Sequence, residues 1–74
     1  MNQRQCRMAR AGLDWTQTEL ATASGVSWRT VARFEGGESV MPAQVQKMRH
    51  ALEAKGIFFI DSGPMVGGVI PPRS

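Results

Sequence analysis

Arg29 and Arg33 stand four residues apart in the segment Ser27-Trp-Arg-Thr-Val-Ala-Arg-Phe34-Glu35, one helical turn if that segment is helical. A guanidinium presents a planar fork of N–H donors, which matches paired acceptors such as guanine O6 and N7. At about 100° per residue, Ser27, Val31 and Phe34 gather on one side of such a helix. Arg29, Ala32 and Arg33 then face the other way, with Trp28 on their flank. Ala32 is small enough to lie against a thymine methyl. Around this face stand candidates for phosphate contact. Gln17 opens a helix where amide N–H groups and the dipole favour an anion. Ser27 and Thr30 carry hydroxyls at the start of the next helix, and Arg4 adds a basic group. The bland alternative for each is a solvated surface side chain, and Ser27 serves as a helix cap in any case.

Other chemistries find little support. The chain has one cysteine, so it forms no internal disulfide, and no Cys/His cluster has zinc-ligand spacing. Cys6 shares a helical stripe with Arg10 and Leu13 and reads as a packing residue. His50, the only histidine, has no acid partner or nucleophile in an obvious motif. No catalytic residue, cofactor or metal is expected. Lys47, Arg49 and Lys55 read as solvated groups. The surplus of 9 Lys+Arg over 6 Asp+Glu, a net +3, suits an anionic partner.

The elements that must position these groups fit in 74 residues, one small domain. A chain this short buries only about 60% of its unfolded surface, which disfavours a deep enzyme cleft. Its longest wholly apolar stretches are four residues, as in Ile57-Phe58-Phe59-Ile60, and its N-terminus lacks a signal-peptide core. A cytoplasmic protein without membrane contact is therefore expected.

Residues 1–56 carry helix signals throughout. Asn2 and Gln5 form a capping box for a first helix that should stop near Gly12. Thr16-Gln-Thr-Glu19 is a second capping box, with Trp15 and Leu20 as its hydrophobic staple. That helix runs from Gln17 to about Ser24. Ser27 caps a third, from Trp28 to about Glu35, ended by Gly36-Gly37. Pro42 opens a fourth, whose apolar face is Val45, Met48 and Leu52, closed by Gly56. Residues 57–74 change character. Ile57–Ile60 favours a strand, and Met65 or Val66 through Ile70 offers a second across a Gly/Pro loop. Pro71-Pro72-Arg73-Ser74 reads as a loose tail. The fold class is thus mostly α: four helices with a helix-turn-helix, plus a short C-terminal strand or hairpin.

The segment Gln17 to Glu35 places two short helices around Gly25, with Ala21 small enough for close crossing and Leu20, Val26, Val31 and Phe34 between them. Here the chain resembles the phage repressor and Cro-like (Xre-type) family. The likeness spans about residues 2–55 and rests on Arg10, Gln17, Leu20, Ala21, Gly25-Val26, Val31, Phe34-Glu35 and Gly37. Phe58-Phe59-Ile60-Asp61 with its glycine-rich sequel is similar to small bacterial and prophage regulators. The resemblance implies base reading at Trp28, Arg29 and Arg33, a backbone-binding or bracing role for Gln17, and a pair between Arg10 and Glu35. The chain departs from the family at Ser24, usually larger or alanine, and at Trp28, often a polar amide. It departs again in Glu38-Ser-Val-Met-Pro42, where many members carry basic residues.

The expected function is sequence-specific binding of double-stranded DNA, an operator of palindromic form, by a homodimeric repressor without a small-molecule ligand, its own gene being one candidate target. Ile57, Phe58, Phe59 and Ile60 are the expected dimer interface, because both faces of that strand are apolar and its edge needs a partner. The alternative pairing is a hairpin folded back within one chain. An antitoxin-like protein or adaptor that chiefly binds another protein is the rival function.

Overall fold

The computed structural model describes residues 1–61, 63 and 65–72 of the chain. Its order is α1 (Gln3–Gly12), α2 (Gln17–Ser24), α3 (Trp28–Glu35), α4 (Pro42–Ala54), β1 (Phe58–Phe59) and β2 (Val69–Ile70). The first three helices begin on side-chain caps. Asn2 accepts the Gln5 amide at 2.8 Å and Gln5 returns the bond at 3.0 Å. Thr16 and Glu19 repeat the reciprocal pattern on α2, and Ser27 Oγ accepts the Thr30 amide at 3.2 Å on α3. α4 starts on Pro42 instead, with no side-chain cap on Met41.

Three helices end in the same way. The residue after the cap turns left-handed, and the following amide bonds back to the carbonyl five residues earlier, the Schellman pattern. The left-handed residues are Asp14 (φ 55°), Gly37 (φ 93°) and Gly56 (φ 93°). The closing bonds are Trp15 N to Arg10 O at 2.9 Å, Glu38 N to Arg33 O at 3.0 Å, and Ile57 N to Leu52 O at 3.2 Å. α1 ends at Gly12, as expected, but the left-handed turn is not made by that glycine. Gly12 stays helical and Asp14 takes the left-handed turn, which an aspartate tolerates better than most residues.

Gly12 serves packing instead. A Cβ there would lie 3.3 Å from the Pro71 side chain. The segment after β2 thus runs against the end of α1, and Pro72 lies close to Gly56. Pro71 and Pro72 are not the loose tail that composition suggests. Arg73 and Ser74 lie outside the described residues.

The core is built from Cys6 and Ala9 of α1, Leu20 and Ala21 of α2, Val31 and Phe34 of α3, and Met48 and Leu52 of α4. Val26 in the turn, Ile57 and Phe59 complete it. β1 and β2 pair antiparallel within the chain, Phe58 opposite Ile70 and Phe59 opposite Val69. The second strand is shorter than the expected span. Met65, Val66 and Gly67 are turn residues, with Gly67 left-handed at φ 87° and the Gly68 amide bonded to Met65 O. Arg49 of α4 fastens the hairpin. It donates to Glu53 at 3.1 Å and to Asp61 at 2.7 Å, and its guanidinium sits 4.9 Å from the Phe59 ring centroid. The sequence reading as a solvated group missed this role. No helix among the described residues is long and apolar enough to cross a membrane.

Candidate nucleic-acid interface

α2 and α3 are joined by Gly25, Val26 and Ser27. Gly25 is left-handed at φ 74°, its amide bonded to Ala21 O at 3.0 Å. Val26 is buried between the helices. Ser24, the small residue before the turn, bonds through Oγ to Leu20 O at 2.7 Å, so its polarity is satisfied within α2.

Behind α3 lies a polar hub at Glu35. Arg10 grips its carboxylate with two bonds, Nε to Oε2 and Nη2 to Oε1, each 2.8 Å. Gln17 donates at 3.2 Å and the Cys6 thiol at 3.3 Å, while Arg7 donates to the Glu35 carbonyl at 2.7 Å. Arg10 also reaches Trp15 O at 2.8 Å. The Glu35 carboxylate thereby ties α3 to two side chains of α1 and to the first residue of α2, and its carbonyl adds Arg7 of α1. Burial pushes the Glu35 carboxyl up, but the bonds from Arg10, Gln17 and Cys6 outweigh it and leave it below the ordinary carboxylate range. Burial and the facing carboxylate push the Cys6 thiol up to about 12, so it stays protonated and unreactive.

The opposite side of α3 is open. Trp28 is 55% exposed, Arg29 is exposed, and Ala32 is half-buried between them and the core. Arg29 forms no ion pair among the described residues. Arg33 is exposed but faces Glu38, its Nε 3.4 Å from Oε1. Thr30 and Arg33 also line an open cleft of about 280 Å³ with Ser39, Val40, Met41 and Gln44, at the start of α4.

Several residues occupy places the helical wheel did not assign. Ser27 is exposed rather than inward, because a cap stands outside the helical register. Its hydroxyl lies 2.9 Å from that of Thr30, so both are engaged locally. Gln17 is partly buried and spent on Glu35, as a brace. Arg4 is exposed on α1. At the other end of the chain, Ile57 and Phe59 are each only 4% exposed and belong to the protomer's own core. This withdraws them from the interface expected over residues 57–60. Alternation along β1 leaves Phe58 outward, 63% exposed, beside its cross-strand partner Ile70 at 49%, with Ile60 half-buried.

The Cys6, Arg7 and Glu38 contacts went unread in the sequence. The Glu38 contact had a signal: left-handed Gly37 fixes the next residue over Arg33. No protein-family model matches the chain, and no curated protein sequence does.

Proposed function

We propose that the chain is a sequence-specific DNA-binding transcriptional regulator of the phage repressor and Cro-like (Xre-type) class, acting as a homodimeric repressor. The observation that carries this reading is the two-sided character of α3. Its inner side is locked by Glu35 to α1 and α2, while Trp28, Arg29 and Arg33 stand on its exposed side. A rigid helix bearing outward guanidinium groups suits insertion into a major groove, where arginine forks read guanine.

Arg29, without an ion-pair partner among the described residues, is the principal base reader. Trp28 supplies apolar contact at the helix start, and Ala32 a surface for a thymine methyl. Arg4, Ser27 and Thr30 remain the candidates for phosphate, and Gln17 acts by bracing the reading helix. Size favours a dimer. The longest extent of the described chain is 31 Å, whereas half-sites of a two-fold operator repeat about every 34 Å. The exposed pair Phe58 and Ile70 is the surface such a dimer would cover. Repression would be steric, by occupying a promoter.

The same apolar pair favours the rival reading, an adaptor that docks a different protein there. A gel shift of the purified chain with DNA from upstream of its own coding sequence separates the two. Retention of one fragment against excess random DNA supports the regulator. Absence of any shift, with a neighbour-encoded protein co-purifying, supports the adaptor.

A further inference from the structure

The α3 face carries one group that opposes DNA binding. Glu38 stands 60% exposed beside Arg33, itself 54% exposed, on a surface that would approach a polyanion. Its position is imposed by the backbone. Gly37 is left-handed at φ 93°, its amide bonds to Phe34 O at 3.1 Å, and the Glu38 amide bonds to Arg33 O at 3.0 Å. This helix ending folds the second residue past the cap over the residue three before it. At the equivalent positions after α4 the contact is apolar, Ile57 with Leu52, both buried. Here the same geometry sets an acid against a base.

We infer that Glu38 is a specificity-setting residue of this face, one that withholds Arg33 from DNA unless a base edge competes for it. The inference rests on the DNA-binding reading of α3. The pair is long for an ion pair, 3.4 Å at the inner nitrogen of the guanidinium, and the Arg33 side chain makes no hydrogen bond among the described residues. An exposed contact of this kind biases a side chain by no more than about fivefold in water. Arg33 also borders the open cleft beside α4, so its guanidinium has room to swing without disturbing packed groups.

On random DNA, the Glu38 carboxylate meets phosphate charge, and Arg33 finds only phosphate oxygens to replace it. Where guanine O6 and N7 lie opposite, Arg33 gains two directed acceptors and the loss of Glu38 is offset. Glu38 therefore penalises every encounter, and only the matching sequence recovers the penalty. Its action is repulsive as well as positional, the usual way a surface rejects wrong partners.

The experiment uses the full chain, a duplex enriched by the wild-type protein from a random pool, and a scrambled duplex of equal length. Anisotropy titrations give the affinity ratio between the two. Glu38→Gln keeps shape and leaves an exposed amide, and a thermal melt checks its fold. The expected result is tighter binding of scrambled DNA, with the affinity ratio falling at least about threefold and the salt slope steepening by about one phosphate equivalent. In an Arg33→Ala background the same Glu38→Gln change should leave the ratio unaltered, because there is no guanidinium to withhold. An unchanged ratio on the wild-type background overturns the inference while the DNA reading stands. Failure of the wild-type protein to enrich any sequence overturns the reading and the inference with it.

Discussion

At the scale of single residues, the central contrast is between Arg29, exposed without an ion-pair partner among the described residues, and Arg10, committed to Glu35 through two bonds of 2.8 Å. Arg29→Ala should leave the melting temperature unchanged and weaken operator binding by about 1–3 kcal/mol for each good base contact. Arg10→Ala should do the opposite kind of damage. It leaves Glu35, only 4% exposed, without its cation, at a cost of about 3 kcal/mol in stability. A double-mutant cycle with Glu35→Gln under urea unfolding measures the coupling, and a value near zero would contradict the hub. The hub also dictates a pH profile. The Glu35 carboxyl is held below its ordinary 4.5, so its contribution is intact above that pH and lost as pH falls through the lower folded value. The Cys6 thiol moves from 9.0 to about 12, so its contribution holds below pH 9.0 and drains as pH rises toward 12. Stability should decline at both ends of a plateau, and Cys6→Ala should flatten the onset of the alkaline decline. An alkaline limb identical in that variant would remove Cys6 from the account.

Among the elements, helix endings decide most of the architecture. Gly37 and Gly56 share φ 93°, but a Cβ on Gly37 meets open space, whereas one on Gly56 lies 2.9 Å from the Pro72 side chain. Gly37→Ala should therefore cost about 1–2 kcal/mol, the conformational term alone, and Gly56→Ala distinctly more. Equal losses in thermal melts would show that the packing of Pro72 adds nothing. These endings also mark what could be read in the sequence. The starts of α1, α2 and α3 were legible because a cap is a local contact between residues three apart. Gly37 and Gly56 were legible as stops for the same reason. Asp14 was not, since aspartate tolerates the left-handed region without advertising it as glycine does. Gly12 does mark where α1 ends, but its packing role was hidden because it is distant: it makes room for Pro71, a neighbour that only the folded chain supplies. The candidate site divides along the same line. The outward placing of Trp28, Arg29 and Arg33 follows from helical period, but Gln17, Ser27 and Thr30 turned to local or hub bonds that period does not encode. Ile57 and Phe59 were both read as strand residues, and β1 keeps only Phe58 and Phe59. Their burial was invisible, because alternation alone cannot say which face the helices cover.

For the whole molecule, the hairpin pairing within the chain changes what a dimer must use. Phe58 and Ile70 form the outward face of the hairpin, so replacing both with serine should convert a dimer to a monomer while the helices melt unchanged. Light scattering at micromolar concentration checks this, and a double variant that remains dimeric would place the interface elsewhere. The proposed regulator depends above all on the exposed side of α3 reading DNA sequence. The most direct test is anisotropy of the full chain on the retained upstream fragment and on a scrambled duplex, wild type beside Arg29→Ala. Wild type should prefer its fragment by at least about tenfold, and Arg29→Ala should lose most of this preference while keeping its fold. Equal affinity of wild type for both duplexes, or a preference that survives in Arg29→Ala, would contradict the proposed function.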